Sequence, residues 1–83
     1  LNQQFDTIIL DPPRSGCHPS LLTSIIEKNL RNIIYVSCNP ATLARDLAVL
    51  TSDGYRINMV QPVDMFPQAG HVETVVLLSK VQK

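Results

Sequence analysis

The chain has 83 residues, a formal net charge of +0 and 45% hydrophobic side chains, which suits one small α/β unit with a modest core. No apolar stretch approaches the length that spans a bilayer, and Cys17 and Cys38 have neither a paired framework nor metal-ligand spacing, so a metal site and a disulfide scaffold are not expected. The balanced charge offers no basic stripe for nucleic acid, yet it excludes no RNA partner whose surface lies elsewhere. Free thiols point to a reducing, cytoplasmic setting. Leu1-Asn2-Gln3-Gln4 has neither a basic start nor an initiator Met, and the chain is expected to be the inside of a longer protein.

Phe5 to Leu10 is a β-branched run that stops at Asp11-Pro12-Pro13, where two prolines end any ladder. After a loop from Arg14 to His18, Pro19-Ser20 opens a helix with Leu21, Leu22, Ile25 and Ile26 at helical spacing, running to Asn29 or Leu30. Asn32 to Ser37 reads as a second strand. Asn39 and Pro40 are preferred types for an N-cap and a first helical position, so a second helix is expected to follow. It carries Leu43, Leu47 and Leu50 as a core stripe with Ala44 and Ala48 beside it, and stops at Ser52-Asp53-Gly54. Arg45 and Asp46 are assigned to its solvated face. Tyr55 to Val63 reads as a strand with Ile57, Met59 and Val63 inward, Met65 to Gly70 as a loop, and Val72 to Leu78 as a last strand.

The order β-α-β-α-β-β makes the first three strands parallel, while the last follows a connection too short for a crossover and runs antiparallel. Ligands of open α/β sheets bind at the C-terminal strand ends. Asp11 and Cys38 are the first polar functional groups beyond their strands, and the antiparallel start of the last strand brings His71 and Glu73 to the same edge.

Each of these residues has two readings. Cys38, at a strand end before a helix start, is either a small buried filler or a nucleophile eased toward its thiolate by the helix N-terminus. Glu73 either faces solvent or, half-buried, acts in proton transfer. His71 reads first as a loop histidine bonded to backbone and second as a base. Asp11 caps the following turn or binds a ligand. Arg14 holds a carboxylate or a phosphate, and Cys17 reads as structural or incidental.

Two long stretches carry a family resemblance. Asp11-Pro12-Pro13-Arg14-Ser15-Gly16 followed by Ile33-Ile34-Tyr35-Val36-Ser37-Cys38-Asn39-Pro40-Ala41-Thr42, and then Val63-Asp64-Met65-Phe66-Pro67-Gln68-Ala69-Gly70-His71-Val72-Glu73, resemble the two signatures of the S-adenosylmethionine-dependent RNA 5-methyluridine methyltransferases. The one departure is Ala69, where that family usually has Ser or Thr. The resemblance implies the C-terminal half of a Rossmann-like methyltransferase sheet, with residues 1–83 a single piece of the catalytic domain.

By the same resemblance, Cys38 matches the nucleophile, Glu73 the proton-abstracting base and Asp11 a residue at the S-adenosyl-L-methionine site. Asn39, Gln68 and His71 are candidates for positioning the substrate, Asn39 or Gln68 by hydrogen bonds to the uracil edge. The implied partner is rRNA or tRNA, and the implied reaction is methylation of uridine carbon 5 through a covalent cysteine adduct at carbon 6. Gly16, Gly54 and Gly70 cannot form a Gly-rich donor loop, so the piece alone is expected to be inactive, and its half-sheet to self-associate. Other readings are an amino-group methyltransferase built on Asp11-Pro12-Pro13, a thiol hydrolase pairing Cys38 with His71, and a non-catalytic structural or interaction fragment.

Overall fold

The computed structural model describes residues 6–66 and 71–81, with the backbone alone at 64–66, 71 and 72. Its elements run β1 (Thr7–Leu10), α1 (Pro19–Glu27), β2 (Asn32–Ser37), α2 (Pro40–Ser52), β3 (Tyr55–Phe66) and β4 (His71–Lys80). The anticipated order of elements is present.

Local chemistry sets the boundaries. Pro19 opens α1 behind His18, whose ring nitrogen accepts from the Ser20 amide at 3.1 Å. The helix ends at Glu27, earlier than its apolar spacing suggests, because Asn29 turns into the left-handed region with φ 55°. At α2, Asn39 caps the Ala41 amide at 3.0 Å, and Gly54 at φ 102° releases the chain into β3. The last two strands are longer than anticipated: β3 continues to Phe66 and β4 spans His71 to Lys80.

The sheet order is β1-β2-β4-β3. β1 pairs parallel with β2, whereas β4 slots between β2 and β3 and runs antiparallel to both. The first three strands therefore point the same way, and the ends of β1 and β2 share one edge. Alternation along β2 turns Ile33, Tyr35 and Ser37 to one face, and their partners Leu78, Val76 and Thr74 lie with them. Both helices pack on that face. Leu22 and Ile25 of α1 and Leu43 and Leu50 of α2 join Leu10, Ile33, Tyr35, Tyr55, Val76 and Leu78 in one core, each large apolar side chain contributing about 1.5–3 kcal/mol.

Three expectations are corrected here. Ile57 and Met59 are each 42% exposed instead of inward: β3 is an edge strand, and a register shift between them sets Ile57 beside Leu78 and Met59 beside Leu77, on opposite faces. Ala44 and Ala48 are exposed beside the stripe that Leu43 and Leu50 bury. Asp46, assigned to solvent, is 1% exposed.

The sheet's second face carries Ile9, Ile34, Val36, Val75, Leu77 and Met59. Among the described residues no helix covers it, and Ile9 stands 67% exposed. No helix of the described residues is long and apolar enough to cross a membrane.

Candidate active site at the strand ends

The turn after β2 is built to hold Cys38 outward. Ser37, buried at the strand end, accepts from the Asn39 amide at 3.0 Å and donates to the Asn39 carbonyl at 3.0 Å, closing a tight turn around the thiol. Cys38 is exposed and free, directly ahead of the α2 N-terminus, whose unpaired amides favour negative charge. Both ends of the Asn39 amide bind protein: Oδ1 accepts from Ala41, and Nδ2 donates to the Arg14 carbonyl at 2.9 Å.

Asp11 follows β1 and is exposed, one residue past the Leu10–Tyr35 pair that closes the parallel ladder. On the other side of β2, Ser37 pairs with Thr74 as the last pair of the antiparallel ladder, so Glu73, one residue before Thr74, lies at the same end of the sheet as Cys38, one residue after Ser37. Glu73 is half-buried and pairs with Val63 on β3. Cys38, Asp11 and Glu73 thus converge on one edge from three strands. The backbone of His71 begins β4 opposite Phe66, while Gln68 and Ala69 and the side chain of His71 lie outside the described residues. Among the described residues no group of three His, Cys, Asp or Glu is disposed to hold a metal ion.

The loop between β1 and α1 is tied to α2. The Arg14 carbonyl accepts from Asn39 and from the Thr42 hydroxyl, both at 2.9 Å. Arg45 donates to the carbonyls of Ser15 at 2.9 Å and Cys17 at 3.3 Å. No ion pair of Arg14 is present among the described residues. The loop walls an open cleft of about 450 Å3 that includes Pro12, Pro13, Leu21 and Arg45.

Asp46 stands behind this loop. Its Oδ2 accepts from the Cys17 amide at 2.8 Å and the Tyr35 hydroxyl at 2.5 Å, and its Oδ1 accepts from Arg45 Nε and Nη2, each at 3.1 Å. Burial, and then the bond to Asp46, push the Tyr35 phenol well above its ordinary 10.0. Burial, followed by the Asp46 charge, likewise raises the Cys17 thiol above 9.0. A signal for Asp46 was available in the sequence: it sits three residues after Leu43 and four before Leu50, inside the apolar stripe.

Known proteins resemble this chain along nearly its whole length. The family described as tRNA (uracil-5-)-methyltransferase matches residues 1–81. An uncharacterized RNA methyltransferase of Clostridium acetobutylicum is 58% identical over 78 residues, covering 94% of this chain and 17% of its own length. One from Bacillus cereus is 59% identical over 78 residues with the same coverage. The crystal structure of Pyrococcus abyssi tRNA (uracil-54, C5)-methyltransferase in complex with S-adenosyl-L-homocysteine superposes with a TM-score of 0.80 at 47% identity, over 92% of this chain and 19% of that one. The chain thus spans less than a fifth of the length of these relatives.

Proposed function

The chain belongs to the tRNA (uracil-5-)-methyltransferase family, and on that footing we propose that it is the C-terminal part of the catalytic domain of a cytoplasmic RNA (uracil-C5) methyltransferase, with Cys38 and Glu73 as its reacting residues. The observation that carries this reading is the strand-end geometry: parallel β1 and β2 with antiparallel β4 bring Asp11, Cys38 and Glu73 to one edge.

Carbon 5 of uracil is a poor nucleophile until a thiolate adds at carbon 6. Cys38, exposed before a helix N-terminus, suits that role: its sulfur bonds to carbon 6, and the electron pair of the 5,6 double bond moves into an enolate that makes carbon 5 reactive. S-adenosyl-L-methionine, when bound, supplies an electrophilic methyl group. The donor set in this chain fits that ligand in part: the exposed Asp11 carboxylate suits its hydroxyl or ammonium groups, and the Gly-rich loop such a ligand needs is not among these residues. Once carbon 5 is methylated, Glu73 takes the proton that carbon 5 still holds, the double bond re-forms, and the carbon–sulfur bond breaks to return the Cys38 thiolate. The target base must be unstacked to reach the edge.

The substrate is tRNA or rRNA. The family description and the tRNA specificity of the Pyrococcus abyssi neighbour support the tRNA arm, and assays of the full-length protein on both RNAs separate the two. The decisive experiment incubates that protein with S-adenosyl-L-methionine and RNA containing 5-fluorouridine. A stable adduct at Cys38 is expected, because fluorine at carbon 5 cannot leave as a proton. Loss of the adduct in Cys38→Ala supports the covalent route, whereas methylation surviving that change means an amino-group methyltransferase. The 83-residue chain alone is expected to be inactive and, through its bare apolar face, to self-associate. Turnover by this piece, or a monomer in size-exclusion chromatography, contradicts those two statements respectively.

A further inference from the structure

Asp46 is the carboxylate buried among the described residues, and the chemistry proposed above makes no use of it. An apolar residue there would complete the stripe of Leu43, Leu47 and Leu50, and taking a carboxylate out of water carries a desolvation cost that a packed hydrophobe does not. A carboxylate offers something an apolar side chain cannot, namely directional acceptors for groups from three separate elements. Tyr35 reaches it from β2, the Cys17 amide from the loop after β1, and Arg45 from α2 itself.

Arg45 extends the grip to the Ser15 and Cys17 carbonyls, while Asn39 and Thr42 take the Arg14 carbonyl. Within the loop, the backbone bond is a single turn from the Gly16 amide to the Pro13 carbonyl. Gly16 completes the fit: at φ +83° it lies so close that a Cβ would meet Arg45 Nη2 at 2.4 Å and Asp46 Oδ2 at 2.9 Å. The segment between Asp11 and α1 is therefore fastened at Arg14, Ser15 and Cys17 to α2 and its N-cap, immediately after Cys38.

We propose that Asp46 is a positioning residue, which with Arg45 and Gly16 latches the loop of residues 14–17 to α2 and so fixes the Asp11 end of β1 relative to Cys38. The inference rests on the methyl-transfer reading of this edge. Group transfer between a donor held near one strand end and a base bonded at the next needs reacting atoms about 3–3.5 Å apart, and a shift of about 1 Å lowers the rate on the order of a hundredfold.

The test uses the full-length protein. Active sites are counted by adduct formation with 5-fluorouridine RNA carried to completion, and single-turnover methyl transfer is then expressed per titrated site. Asp46→Asn, which keeps the shape and removes the charge, is expected to lower that rate about a hundredfold, with KM for RNA changed by less than about threefold. Arg45→Met leaves the core intact and is expected to lower it about tenfold in the same way, so it carries the test if Asp46→Asn does not fold. Rates per titrated site within about twofold of wild type, with only the number of sites or the melting temperature reduced, overturn the inference. A wild-type protein that forms no adduct overturns the uracil reading and this inference together, a result distinct from an active wild type with unaffected variants.

Discussion

The two connections that leave the parallel strands solve opposite problems. After β2 the chain takes two residues to enter α2, and its thiol, Cys38, stands in solvent in front of the helix. After β1 it takes eight residues to enter α1, and its thiol, Cys17, is 4% exposed with its amide on Asp46. The short turn is closed by the two Ser37–Asn39 bonds; the other is long and is held by side chains from α2. Burial and then the nearby Asp46 carboxylate oppose the thiolate at Cys17, whereas Cys38, the nucleophile proposed above, is exposed at the strand end.

The largest effect expected from this contrast is on chemistry. In the full-length protein, Cys38→Ala is expected to lower RNA methylation by about ten-thousandfold or more, while Cys17→Ala leaves adduct formation with 5-fluorouridine RNA intact; equal losses in both variants would erase the distinction. Next is alkylation. Under native conditions iodoacetamide is expected to modify Cys38 about a thousandfold faster than Cys17, since the latter reacts through opening of the fold. Peptide mass spectrometry against time reads this directly, and similar rates would mean that the loop is not closed.

Smaller effects concern stability. Tyr35→Phe removes a hydrogen bond to a buried charge and is expected to cost about 2 kcal/mol in denaturant unfolding. It also changes the alkaline limb. With its phenol held above 10.0 in the fold, Tyr35 stays neutral while its unfolded counterpart ionises, so the stability it contributes is intact below pH 10 and is lost as pH rises beyond it. Cys17 does the same starting from 9.0. The fall above pH 10 is expected to be shallower in Tyr35→Phe, and an unchanged slope would count against the Tyr35–Asp46 bond. The smallest change is Cys17→Ala, a small cavity costing about 1 kcal/mol.

The frame of this fold was readable because each element announces its ends: β-branched runs stop at Asp11-Pro12-Pro13 and Ser37, and Asn39-Pro40 starts a helix. Strand directions followed from connection lengths, and with them the common edge at which β1 and β2 end and β4 begins. The face of β3 was not readable. A regular period of two cannot anticipate the shift between Ile57 and Met59, and an edge strand leaves even its inward positions open to solvent. Asp46 was misassigned because a charged residue on a helix is usually solvated; its partners, the Cys17 amide and Tyr35, lie 29 and 11 residues away, and that proximity exists only once the sheet has formed.

The fit of Gly16 against Arg45 and Asp46 also bears on inheritance. A Cβ at position 16 would collide with both side chains and come within 3.0 Å of the Thr42 Cβ, and the φ of +83° strains any other residue whatever the space, so glycine is required there with or without the pair. Position 16 should therefore stay glycine across descendants of this gene even where 45 or 46 changes, while the exposed Ala44 and Ala48 on the same helix vary one at a time.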